Sequence, residues 1–583
     1  MNKEKNGLAS APKEATASAE NAQKGASRRK FLGQVGVAAG LAAGTLAAPI
    51  TSAAQSESSH IATPAAPSGV NNPRIVEAFM LRVSDATTDA LLGPARNINN
   101  GDINRYADHG GTYTKGLPHD QYGRVTAQSY QSFLRALNTG KASAFEQIVM
   151  GGTHTLNGPQ GAYAFDLDAP DNSQFGQPQV PPAPPVASAQ SGTELLEHYW
   201  GALLRDVSFV EYASNPFAQA AAAELGSQPT YLGPRTSGGQ VTPDLLFRGT
   251  FPGETLGPYL SQLFVIPTAF GSQPLSQQQT TLAPNVDYGT DFGEWLDIQN
   301  GVNTGKALQF DSQQRWRRNG RDLGAYTHLD VLYQAYFTAL LTLGTIGAPL
   351  NPGNPYVHST TENGFGTFGG PDFSACLGEI ATKALNAVWY QKWLVHLRPR
   401  PEATGGQVHL AKTGQGAFTD VKPHATILNS IGLQTSFNKY GTWLLPLAFP
   451  EGAPYHPAYP TGHGAVGGAC ITMLKFCYDG AFVIPEPVVP SSDGLSLLPY
   501  TGSDAGQLTV NGELNKLGHN VSFGHGTHAG IHWRSDSDTS LLLGEAVALA
   551  YLKNKAKTYN EPFTIHLTKF DGTTATISNQ GNP

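Results

Sequence analysis

The sequence predicts an all-α protein: one large helical bundle domain with long ordered loops and a small C-terminal β-hairpin. Three observations lead there. Apolar residues recur at helical spacing along several long stretches. Gly (66) and Pro (41) are abundant while charged residues make up only 14% of the 583, a composition that suits ordered loops between helices better than a polyelectrolyte scaffold. Only the tail, residues 563–578, alternates apolar and polar residues, around the turn pair Asp571-Gly572, and so reads as a hairpin.

Helical periodicity opens at residues 74–92 and returns at 122–137. Residues 157–190, with the proline-rich run 178–185, read as a long surface loop. A helix is predicted over 194–209, opening after Ser191-Gly192-Thr193 with Thr193 as its cap. Residues 217–225 are alanine-rich behind the start signal Pro216, and 256–264 suit a short helix. Apolar stripes on 328–343, 373–396, 465–476 and 538–554 then predict long helices that face one another in a bundle. Length alone allows two or three domains. The motifs below span so much of the chain that a single domain over 73–583 is the better reading.

The first 54 residues read as an export signal. Ser27-Arg28-Arg29-Lys30-Phe31-Leu32-Gly33 resembles a twin-arginine motif, followed by an apolar run and by Ser52-Ala53-Ala54, small residues suited to cleavage. The run is short and glycine-rich for a membrane span. Residues 55–72 read as a flexible linker. This predicts a bacterial protein, periplasmic or secreted. Residues 1–54 hold seven Lys/Arg and three Asp/Glu, so their removal takes the formal charge from −7 to −11. Such a balance argues against nucleic acid or an anionic membrane as partner. The three cysteines, Cys376, Cys470 and Cys477, make no disulfide framework.

Function is carried by three separated segments, residues 392–401 (KWLVHLRPRP), 456–463 (HPAYPTGH) and 524–536 (GHGTHAGIHWRSD). Together they hold the groups a tetrahedral oxyanion requires. Each charged oxygen needs donors once water is displaced. Arg400 offers a planar fork and Lys392 a compact charge. Thr461 precedes the helix predicted over 465–476, where its hydroxyl and free backbone N–H groups suit an anion. Gly462 leaves the approach open, and His463 is placed to move protons. His532 is an imidazole able to bond the central atom. Asp536, at i+4, is placed to orient that ring. Taken alone, Lys392 and Arg400 also suit a solvated helix end, and His456 a turn.

The K-x7-R-P spacing of Lys392 and Arg400, the run H-P-x-Y-P-x-G-H, and His532 with Asp536 resemble the vanadium-dependent haloperoxidases, in their algal-type bromoperoxidase branch. Residues 246–260, 288–301 and 398–406 resemble it too. That family shares its fold and anion site with the PAP2-type acid phosphatases. The resemblance implies vanadate as cofactor, with His532 bonding vanadium and Lys392, Arg400, Thr461, Gly462 and His463 holding the vanadate. It implies His463 as acid/base, Lys392 polarising peroxide and His456 tuning that state. The implied reactants are hydrogen peroxide, a halide (bromide first, with iodide or chloride as further halides) and a small organic acceptor. The implied assembly is a homo-oligomer, at least a dimer.

Two departures stand out. Thr461 replaces the serine of P-S-G-H. In the pattern R-x5-H-x3-D the arginine should stand at 526, where the chain has Gly526; alternatively, one inserted residue puts His525 in the arginine's role. Either way a permanent cation is exchanged for one that titrates, which predicts weaker vanadate retention and stronger acid dependence. Two other functions stay open at this point. One is a phosphatase with a phosphohistidine at His532. The other is a degenerate member binding an anion or, through His528 and His532, a divalent metal.

Overall fold

The computed structural model describes residues 71–580. The export segment predicted at 1–54 lies outside them, as does nearly all of the linker. The first described helix, α1 (Asn71–Leu92), crosses the point after Asp85 at which the chain divides into two compact units. The functional segments and the elements that build them belong to the unit from Ala86 onward.

That unit is helical. In order it contains α2 (Ala127–Thr139), α3 (Ala189–Leu204), α4 (Pro216–Ser227) and α5 (Phe292–Asn300). Next come α6 (Gly320–Leu329), α7 (Gln334–Thr345), α8 (Gly370–Tyr390), α9 (Pro401–Lys412) and α10 (Ile431–Tyr440). The bundle closes with α11 (Gly462–Cys477), α12 (Val510–His519) and α13 (Arg534–Ala556). The tail forms the predicted hairpin, β1 (Thr564–Thr568) antiparallel to β2 (Thr574–Ser578). Three further two-stranded sheets lie in the loops.

Several boundaries differ from the sequence reading for local reasons. α3 starts earlier, capped by Ser188, whose Oγ accepts from Ser191 N; Thr193 is buried inside the helix. The helix predicted over 328–343 is two helices, since α6 ends at Leu329 and α7 begins at Gln334. Of 256–264 only the 3-10 turn Gln262–Phe264 is helical. Cys376, Cys470 and Cys477 are buried and free.

The packing of α11 on α13 sets the site. A β-carbon on Gly468 would lie 2.0 Å from the Leu541 carbonyl oxygen, and one on Gly544 2.0 Å from that of Ala465. The glycines of both helices therefore serve a backbone-to-backbone approach. This contact carries the start of α11 against the start of α13, where Thr461 N donates to the Asp536 carbonyl at 3.1 Å. Around it runs a continuous apolar core that includes Leu377, Ile380, Ile471, Leu474, Leu541 and Val547.

Candidate active site

Two π-helical turns deliver residues to the site. α8 runs into a π turn over Gln391–His396, closed by Leu397 in the left-handed region (φ 44°). Lys392 lies in that turn. α12 runs into a second, Asn520–Gly524, and on into the short helix His525–Ala529. A π turn absorbs one extra residue in a helix and frequently marks a functional site. Here it shifts the register just ahead of His525.

The three sequence segments converge. Arg400, at the start of α9, donates through Nη1 to His532 Nε2 (2.8 Å) and to the Ile531 carbonyl (2.8 Å). Its Nε donates to the His456 carbonyl (2.9 Å), and its Nη2 lies 3.0 Å from His456 Nδ1. Lys392 Nζ donates to the carbonyls of Pro457 (2.7 Å) and Ala458 (2.9 Å). Thr461 caps α11, yet its buried Oγ1 has no partner. His463 Nε2 meets Asp330 Oδ1 at 3.1 Å. The His463 ring is 5.1 Å from that of His525, which is 6.3 Å from that of His532.

Hydrogen bonding fixes the tautomer of His532. Nδ1 donates to Asp536 Oδ2 at 3.0 Å, which leaves Nε2 as the lone-pair nitrogen that accepts from Arg400. Asp536 also accepts from Trp533 N (3.0 Å) and from Arg398 Nη1 (2.7 Å). Arg398 in turn reaches Glu194 Oε2 at 3.3 Å, and Ser535 Oγ joins both. His532 and Asp536 do not meet along a helix face, as i,i+4 spacing implied. His532 precedes α13, and the carboxylate folds back across the helix start.

His528 is not brought to the site. The short helix ends at Gly530 (φ 81°), so His528 and His532 do not share a face. The His528 ring meets the Gly201 carbonyl (Nδ1, 3.2 Å) and packs 4.6 Å from Phe247. Among the described residues no three His, Cys, Asp or Glu side chains are grouped to hold a metal ion, so a divalent site built on His528 and His532 finds no support. An arginine at 526 would force a local shift, since its β-carbon would lie 2.9 Å from His532 Cβ. His525 lines the cavity instead. Its Nδ1 bonds the Val521 carbonyl, which directs Nε2 as its remaining nitrogen. Arg534, after His532, forks onto Glu197 (3.0 and 2.5 Å).

Lys392 and Arg400 bring two basic groups to the site, and Glu451 is the carboxylate on the cavity wall. Burial pushes Lys392 well below the usual lysine range, and the neighbouring Arg400 adds to this. Burial brings Arg400 itself down to about 10. Among the described residues neither cation forms an ion pair. Burial first, then the adjacent cations, push His456 and His532 well below the ordinary imidazole value. His525 shifts the same way through burial and His463. Two buried cations without a counter-charge, an unpaired Thr461 hydroxyl and a lone-pair nitrogen on His532 suit a tetrahedral oxyanion such as vanadate.

The cavity over these groups has a volume of about 180 Å³. His456, Gly462, His463, His525, Ile531 and His532 line it together with Thr327, His328, Leu332, Leu385, Trp389, Phe449 and Glu451. Sequence reasoning missed several of these. Trp389 could have been found, since it lies three residues before Lys392; its ring packs tilted against that of His456, 4.8 Å between centroids. Asp330, His328 and Glu451 carry no spacing that ties them to the motifs. Nor does Glu194, which reaches Asp536 only through Arg398.

No family model matches the chain. Three curated relatives do. The vanadium-dependent bromoperoxidase of Ascophyllum nodosum is 36% identical over 525 residues, covering 86% of this chain and 92% of the relative. Those of Corallina pilulifera and Corallina officinalis are 33% and 32% identical, over 80% and 86% of this chain and 90% and 98% of their own lengths. Among solved structures, the homohexameric second vanadate-dependent bromoperoxidase of Ascophyllum nodosum superposes with a TM-score of 0.82. It is 28% identical and covers 90% of this chain and 95% of its own.

Proposed function

The chain belongs to the vanadium-dependent bromoperoxidase family, and on that premise we propose that it holds vanadate and oxidises bromide with hydrogen peroxide to hypobromous acid. One observation attaches this reading to the site. Lys392 and Arg400 are buried without an ion-pair partner among the described residues, Arg400 donates to Nε2 of the cavity-lining His532 at 2.8 Å, and the Thr461 hydroxyl, next to the cavity-lining Gly462, has no partner.

In this reading His532 Nε2 bonds the vanadium. Lys392, Arg400, Thr461 and the Gly462 backbone hold the oxygens at the start of α11, where a helix favours negative charge. When bound, vanadate supplies a Lewis acid that activates hydrogen peroxide toward halide attack. The side chains do the rest. Asp536, clamped by Arg398, keeps the proton of His532 on Nδ1 and its ring fixed. His463, steadied by Asp330, accepts a proton from incoming peroxide and returns it to the departing oxygen. His456 braces Arg400. His525 takes the place of an arginine. Burial of Asp536, Arg398, His456 and His525 removes water that would screen their charges.

The homohexameric neighbour supports a homo-oligomer here, and the twin-arginine-like segment at 27–33 supports a periplasmic or secreted enzyme. The test is bromination by metal-stripped protein given hydrogen peroxide, bromide and increasing vanadate. We expect saturable, vanadate-dependent product. Phosphate-ester hydrolysis without bromination would replace this reading with phosphatase chemistry.

A further inference from the structure

The cavity has a wall that neither bromide nor hydrogen peroxide needs. Its deep end is formed by His456, His525 and His532, all at most 9% exposed. The partly exposed Leu332, Leu385 and Trp389 and the buried Phe449 also line the cavity. One polar pair interrupts this apolar surface. His328 Nε2 meets Glu451 Oε1 at 2.6 Å, with side chains 24% and 29% exposed. The His328 ring lies 4.2 Å from that of Phe449.

Glu451 is braced from both ends. Its side chain is held by His328, and its backbone carbonyl accepts from the buried Lys115 Nζ at 2.7 Å. Lys115 is anchored by Glu402 at 2.5 Å. A carboxylate paired with His328 in the cavity wall offers no donor to a halide. It is a preorganised hydrogen-bond acceptor beside aromatic and aliphatic faces, the combination that orients an organic ligand.

Resting on the bromoperoxidase reading, we propose that this wall is a subsite for the organic acceptor, and that it takes a small, uncharged, electron-rich ring bearing an O–H group, such as a phenol. The ring lies on Trp389 and Phe449, and its hydroxyl donates to Glu451. The size follows from the cavity. The cavity, about 180 Å³, is on the scale of the roughly 150 Å³ that accepts one benzene-sized ring. The charge follows from Glu451, which disfavours a carboxylate or a phenolate. The electron-rich character follows from the chemistry. A ring carbon must attack the bromine of hypobromous acid, forming C–Br as O–Br breaks; the ring proton joins the hydroxide released, giving water.

A ring held by its hydroxyl presents its positions unequally to bromine formed beside it. The test is therefore isomer ratio. Vanadate-loaded wild type and Glu451→Gln are given peroxide and bromide with phenol or with anisole, which lacks the O–H. Reagent hypobromous acid in the same buffer supplies the reference. We expect the wild-type ortho:para ratio for phenol to differ about two- to tenfold from the reagent's, the discrimination that one hydrogen bond provides. Anisole should give the reagent ratio with both proteins, and Glu451→Gln should return phenol to it. A wild-type phenol ratio equal to the reagent's, or one that Glu451→Gln leaves in place, overturns the proposal. If that variant fails to fold, the phenol–anisole contrast in wild type decides alone. Absence of any brominated product is a different failure, which removes the reading of the whole site and this subsite with it.

Discussion

Gly526 lies so close to His532 that a β-carbon at 526 would sit 2.9 Å from His532 Cβ. The Gly526 carbonyl also accepts from Ile531 N (2.9 Å) and His532 N (3.2 Å), so residue 526 builds the turn that aims the imidazole. The register of the family pattern put an arginine there. The π turn at Asn520–Gly524 precedes His525, which lines the cavity.

Gly526→Arg is thus expected to damage the site, with overpacking costing about 1–3 kcal/mol. His525→Arg is expected to restore a permanent cation and tighten vanadate binding, by about ten- to a hundredfold for a charge-assisted bond of about 1.5–3 kcal/mol. Thermal melts and vanadate dissociation constants of both variants check this pair. Tighter binding in Gly526→Arg would contradict it.

Thr461→Val removes a hydroxyl that is buried without a partner. Such a group costs stability when the site is empty and contributes only to a bound anion. The vanadate-free variant should melt at or above the wild-type temperature, while its vanadate affinity falls about ten- to a hundredfold. A variant that melts lower with unchanged affinity would assign Thr461 a structural role.

Asp536→Asn removes the charge and one of two acceptor oxygens, so His532 Nδ1 and Arg398 can no longer both be served, and Arg398 keeps Glu194 as its one carboxylate. Breaking one side of a buried ion pair typically costs about 3–5 kcal/mol, and losing the group that orients a ligating histidine costs about ten- to a hundredfold in affinity. Urea unfolding and a vanadate titration should show both losses. Retention of full affinity would mean that the ring does not depend on Asp536.

The pH dependence follows from His456 and His525, which burial holds neutral well below the ordinary imidazole value. An anion bound beside them favours their charged forms, so binding takes up protons. Because the bound state then holds more protons than the empty one, affinity must rise as pH falls, by up to about tenfold per unit for each proton taken up. Calorimetry in two buffers of different ionisation enthalpy should detect that uptake between pH 8 and pH 5. Equal affinity across this range would refute it, and His525→Arg should flatten the slope.

The chemistry of the site was legible where residue type alone states it. Lys392, Arg400, Thr461 and His532 are the donors and the ligand that an oxyanion requires, and the apolar run after Gly462 announced the helix that positions them. The C-terminal hairpin was legible from its alternation and Asp-Gly turn. The rest depends on geometry that periodicity does not encode. A π turn changes register by one residue, so Gly526 and His525 could not be told apart. The left-handed Gly530 ends a short helix and turns His528 away. Asp330, Glu451 and Glu194 reach the site from the end of α6, a distant loop and α3 respectively, with no spacing to link them to it.

The central claim is that the three segments form one vanadate site. Isothermal titration of metal-stripped protein with vanadate, followed by bromide oxidation on the same samples, tests it most directly. The account predicts one equivalent bound per chain, activity that rises in step with occupancy, and loss of both in His532→Ala. Tight binding that survives His532→Ala, or full occupancy without bromide oxidation, would contradict it.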